Sequence, residues 1–150
     1  MPTPAPIALF VYNRPYHTGQ TLSYLQKNLL AAETDLFIFS DGPKTDADKG
    51  SVDAVRQLAT QVTGFKTVQV IARGQNMGLA NSIISGVTQL VSEYGKVIVF
   101  EDDLVSSPYT LQYFNDAITH YTDTEQVMHI SAYMFPLQDN TLPETFFFIG

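Results

Sequence analysis

The sequence predicts an α/β protein, a three-layer α/β/α sandwich around a mostly parallel sheet. Three observations lead there. Short apolar runs rich in β-branched and aromatic residues occur four times, each closing in polar or turn residues. Each is followed by apolar residues at helical spacing, and a strand that returns through a helix pairs parallel to its predecessor. The chain of 150 residues, 45% apolar, is long enough to bury a core on both faces of such a sheet as a single domain.

The first strand is residues 7–12, apolar throughout and ended by Asn13, Arg14 and Pro15. Pro15 disfavours helix at the residue before it and suits the first helical position, so a helix begins there, with Leu22, Leu25 and Leu29 inward. The second strand, residues 35–40, closes on the turn signal Asp41-Gly42-Pro43. A polar stretch leads to a second helix, with Val52, Val55, Leu58 and Val62 on one face. The third strand, residues 66–72, runs into a segment with Gly74 and Gly78. Beyond it Leu79, Ile83, Val87, Leu90, Val91 and Tyr94 mark a longer helix. The fourth strand, residues 96–100, is followed at once by Glu101, Asp102 and Asp103. Ser107 and Pro108 signal the start of a helix that turns Phe114, Ala117, Ile118 and Tyr121 inward. A fifth short strand is expected at residues 127–131 and an apolar run closes the chain at 146–149. That run ends without a polar tail, from which we expect the parent chain to continue.

Composition narrows the function. Eight Lys and Arg against fifteen Asp and Glu give a net charge of −7, without the basic footprint that nucleic-acid backbones require. The absence of cysteine excludes disulfides, thiolate metal sites and a catalytic thiol. The apolar start falls far short of the roughly 20 residues of a membrane span, and a cytoplasmic protein is expected. His17, His120 and His129 are scattered without metal-ligand spacing, and no serine lies in a nucleophile elbow.

Ligands of open α/β sheets bind at the carboxyl ends of the strands, so the residues just past each strand carry the information. Here these are Asn13 and Arg14, Asp41, the segment Arg73 to Gly78 that includes Asn76, and the triplet Glu101-Asp102-Asp103. Three adjacent carboxylates after a buried strand repel one another and need a countercharge. A divalent cation supplies one, and magnesium or manganese is typically held by one or two carboxylates together with substrate phosphates. The bland alternative is an exposed acidic turn at a helix start. Arg14, one of three arginines, is suited to a bidentate phosphate contact or to pairing with a nearby carboxylate. Asp41 is suited to accepting hydrogen bonds from a base or ribose, or from its own turn.

The order PIALFVYNRP, FIFSDGP, ARGQNMGLANSI and KVIVFEDDLVSSPYTLQYF resembles the donor-binding half of GT-A-fold glycosyltransferases, which are Rossmann-like nucleotide-diphospho-sugar transferases. It is most similar to the N-acetylglucosaminyltransferase I-like group and to bacterial relatives of the family 2 enzymes, over nearly the whole chain. The resemblance implies that Arg14 contacts the nucleotide or its diphosphate and that Asp41 reads a uracil edge. It implies that Asp103 holds Mn2+ (or Mg2+) bridging the diphosphate, that Glu101 and Asp102 bond the ribose and the transferred sugar, and that Asn76 lies near the nucleotide. The implied reaction passes a sugar from a nucleotide-diphosphate donor, a UDP-sugar, to a glycan or other acceptor hydroxyl, with the catalytic base beyond Gly150. Two alternatives stand beside it: a nucleotidyltransferase on a similar sheet, and a non-catalytic nucleotide-sugar binding module.

Overall fold

The computed structural model describes residues 3–132. The apolar run at 146–149 lies outside them. Strands β1 (Ile7–Val11), β2 (Asp35–Ser40), β3 (Thr67–Ala72) and β4 (Ile98–Glu101) form one parallel sheet in the order β3-β2-β1-β4. Helices α1 (Pro15–Leu25), α2 (Lys49–Gln61), α3 (Leu79–Tyr94) and α4 (Thr110–His120) alternate with the strands, as the repeated strand-then-helix pattern requires. Single 3-10 turns lie at Ala31–Glu33 and Asp46–Asp48.

The two faces of the sheet are covered by different helices. Ile7, Leu9 and Val11 of β1 point to one side with Leu36, Ile38, Ile98 and Phe100. Against them pack Leu22 and Leu25 of α1, Val55 and Ala59 of α2, and Leu111 of α4. Ala8, Phe10, Phe37 and Phe39 point to the other side and meet α3 through Leu90, Ile83 and Val87. Phe10 and Phe39 stack with centroids 5.1 Å apart, and Gly86 of α3 lies so close over them that a Cβ there would stand 2.8 Å from the Phe10 ring. This is the expected three-layer sandwich, with β1 buried along its whole length at the centre.

Several element details differ from the sequence expectation. Helix α1 stops at Leu25, and Leu29 is exposed, because its N–H bonds the carbonyl of Pro108 in the loop after β4 instead of continuing the helix. The buried stripe of α3 is Ser82, Gly86 and Leu90, while Leu79, Val91 and Tyr94 are largely exposed. Small residues on this stripe let the helix approach the Phe10–Phe39 pair, which turns the larger side chains to the flanks. Strand β4 is shifted toward the acidic triplet, so that Glu101 pairs with Phe10 inside the ladder. Helix α4 begins at Thr110, since Ser107 closes a turn first, its carbonyl accepting from Thr110 N and its hydroxyl from Tyr109 N. Its cap comes from elsewhere: Asn28 Oδ1 accepts the Leu111 N–H at 3.0 Å. Tyr121 falls after the helix and is partly exposed. Among the described residues, 127–131 carry no strand: Val127 closes a turn on Thr124 and Met128 stands in solvent. Among the described residues no helix is long and apolar enough to cross a membrane.

Candidate functional site

The chain order fixes where a ligand cleft opens. From β1 the chain steps outward to β2 and β3, then returns to place β4 on the opposite side of β1. The strand order thus reverses between β1 and β4, and the carboxyl ends there are the topological switch point of an open parallel sheet. A cleft of about 240 Å³ lies there. Arg14, Asp41, Asn76, Glu101 and Asp102 all line it, so five of the six residues given a binding or metal role from the sequence converge on one place. The sixth, Asp103, joins through its contact with Arg14. None of the three histidines lines it.

Arg14 is the last residue before α1, held in place by Pro15 at the helix start and by the Thr18 hydroxyl bonding its carbonyl. One of its terminal nitrogens donates to Asp102 Oδ1 and, at 3.2 Å, to Asp103 Oδ2. The hydrogen bond to Asp102 raises the already high pKa of the guanidinium. Asp102 is nearly buried, with a side chain 6% exposed, so the pairing answers a charge that has little water of its own. Arg14 thus meets part of the countercharge requirement that the sequence pattern assigned to a metal.

The Glu101 side chain is exposed and makes no hydrogen bond among the described residues, and Asp103 is partly exposed. No three acidic or histidine side chains among the described residues form a protein-only metal cage. A hard divalent cation of the magnesium type does not need one, since one or two carboxylates with water and phosphate oxygens complete its shell. Asp103, with an oxygen open to solvent beside the cleft, fits that donor set.

Asp41 accepts from its own turn, one of the two readings of its position, and from the neighbouring loop as well. It is buried, and its carboxylate accepts three main-chain N–H groups: Gly42 and Met77 on Oδ1, both at 2.9 Å, and Gly78 on Oδ2 at 3.0 Å. It therefore joins the loop after β2 to the loop after β3. Asn76 reinforces the link by donating from Nδ2 to the Gly42 carbonyl at 2.9 Å. Gly42 is required by contact: a Cβ there would stand 2.5 Å from the Gln75 carbonyl carbon. Arg56 of α2 closes the same edge from behind, donating to Ser40 Oγ and to the carbonyls of Asp41 and Arg73.

Sequence reading missed Tyr12, Lys44 and Ser82, which also line the cleft. The Tyr12 hydroxyl accepts the Lys44 N–H at 3.0 Å, and burial raises its pKa. Beneath it, Asp48 accepts from Asn13 Nδ2 and from the main chain and hydroxyl of Thr45. The Thr45 hydroxyl bond, followed by that of Asn13, lowers the Asp48 pKa. Tyr12 reads in sequence as the last core residue of its strand, and Ser82 as an ordinary helix position; Lys44 at the head of a polar loop was the one visible signal.

Compared with known proteins, the chain matches no family model and no curated relative.

Proposed function

We propose that this chain forms the donor-binding part of a metal-dependent glycosyltransferase, which takes a nucleotide-diphospho-sugar, a UDP-sugar, and transfers the sugar to an acceptor hydroxyl. The observation that carries the reading is the convergence of Arg14, Asp41, Asn76, Glu101 and Asp102 on one cleft at the switch point of a parallel sheet. The cleft volume of about 240 Å³ is below the roughly 300–1,000 Å³ of a site that encloses a whole drug-sized ligand. It suits a base and its ribose, with the diphosphate and sugar lying outward over the acidic triplet.

In this reading the chain's own residues divide the work along the cleft. The Asp41 link shapes the inner end for the base. Arg14 stands where it can turn from Asp102 and Asp103 to a phosphate oxygen, exchanging one anionic partner for another. Asp103 holds Mn2+ or Mg2+, which supplies charge neutralisation for the departing diphosphate. Glu101, free of protein partners among the described residues, faces the sugar side of the cleft.

Calorimetric titration with UDP, in the presence and absence of Mn2+, tests the proposal. UDP binding that strengthens with Mn2+, and loses that dependence in Asp103→Ala, is the expected result. A protein that binds neither UDP nor Mn2+ overturns the donor site, and binding indifferent to Asp103→Ala overturns the role of that carboxylate.

A further inference from the structure

The buried stripe of α3 contains one polar member. Ser82 is 3% exposed, packs one helical turn before Gly86 on the face turned to the sheet, and lines the cleft. Its hydroxyl makes no hydrogen bond among the described residues, although a serine in a helix can bond the carbonyl four residues back, as Thr18 of α1 does here. Unlike Thr21 Oγ1 and Arg73 Nε, which are sealed without a partner among the described residues, the Ser82 hydroxyl is reached from the cleft, so a group entering there can bond it. Around it the cleft has apolar walls from Phe10, Val11 and Leu79.

We infer that the Ser82 hydroxyl is a base-reading contact, donating to a ring carbonyl of the nucleotide; the inference rests on the donor-site reading above. The start of α3, Gly78 and Leu79, also borders this end of the cleft, and its helix dipole would ordinarily favour an anion. That role is already filled, because the Asp41 carboxylate sits on the Met77 and Gly78 N–H groups. A second anion there would face Asp41 at close range, so the phosphates belong toward Arg14 and this end takes an uncharged ring. Asp41 Oδ2 accepts one N–H and retains capacity for another. A ring that places an N–H beside a carbonyl satisfies both Asp41 and Ser82, as uracil does; cytosine, whose ring nitrogen at that place is an acceptor, leaves Asp41 facing a lone pair.

The test compares wild type with Ser82→Ala in calorimetric titrations against UDP, CDP and inorganic diphosphate, each with Mn2+. Thermal melting confirms that the variant is folded. One neutral hydrogen bond corresponds to about a threefold to tenfold change in affinity. The expected result is that loss for UDP, a narrowed preference for UDP over CDP, and unchanged diphosphate binding. Unchanged UDP affinity in Ser82→Ala overturns the inference while leaving the donor site standing. Equal losses for UDP and diphosphate overturn it as well, since the hydroxyl would then act at the phosphates or on the cleft as a whole. Failure of the wild-type protein to bind UDP overturns both this inference and the donor-site reading.

Discussion

Replacing Asp41 by asparagine separates the geometry of its side chain from its charge. The carboxylate accepts Gly42 and Met77 on one oxygen and Gly78 on the other. With its oxygen in the Oδ1 position, an asparagine keeps the first two bonds in weaker, neutral form, but its amide NH2 then faces the Gly78 N–H, donor against donor. The flipped amide keeps only Gly78 and strands two donors, so the first orientation is favoured. A hydrogen bond to a charged group contributes about 1.5–3 kcal/mol, and the side chain is buried apart from its edge on the cleft. Losing one such bond and weakening two amounts to about 3 kcal/mol. With a urea slope of about 2 kcal/mol/M for a domain of this size, the unfolding midpoint falls by about 1.5 M at unchanged slope. Urea denaturation followed by circular dichroism reads this directly. An Asp41→Asn protein within about 0.5 kcal/mol of wild type would refute the claim that this carboxylate joins the two loops.

Two further predictions concern other joints. Asn28→Ala removes the cap on Leu111 N together with the bonds to Ser106 Oγ and the Tyr24 carbonyl, all largely buried. It should destabilise the protein by about 2–3 kcal/mol and selectively speed amide exchange at the start of α4; uniform acceleration across all helices would contradict the capping role. Asp48 has a pKa lowered from 3.8 by the Thr45 hydroxyl and by Asn13. Its contribution to stability is therefore fully present above 3.8 and is lost as pH falls through the depressed folded value. The gap in thermal midpoint between wild type and Asp48→Asn should hold from neutral pH to about pH 5 and close in stronger acid. A gap that persists at about pH 2 contradicts it.

The fold was legible because its signals are local. Residues 35–40 form β2 as predicted and residues 66–72 differ from β3 by one residue, since β-branched and aromatic runs between turn residues leave little choice. The site's location followed from the strand ends alone, and Arg14 pairing with a carboxylate was among the readings of its position. What stayed hidden depends on main-chain atoms distant in sequence. The partners of Asp41 are N–H groups at Met77 and Gly78, and every residue but proline has one, so no residue type announces them. The cap of α4 by Asn28 is hidden for the same reason, while Ser107 advertised a helix start that the chain uses as a turn. At residues 127–131 the apolar pattern competes with a local turn, Val127 bonding back to Thr124, which the pattern does not reveal.

The joined loops also bear on how fast the proposed donor would bind. Loops tethered only by flexible side chains sample many shapes on nanosecond to microsecond scales, and a ligand then engages the minority that are competent. Here Asp41 grips two main-chain amides of the opposite loop while Gly42 abuts the backbone of Gln75. The receptive shape is therefore the resting shape. A ligand entering this end of the cleft should associate in a single step, its observed rate rising linearly with concentration and reaching no plateau.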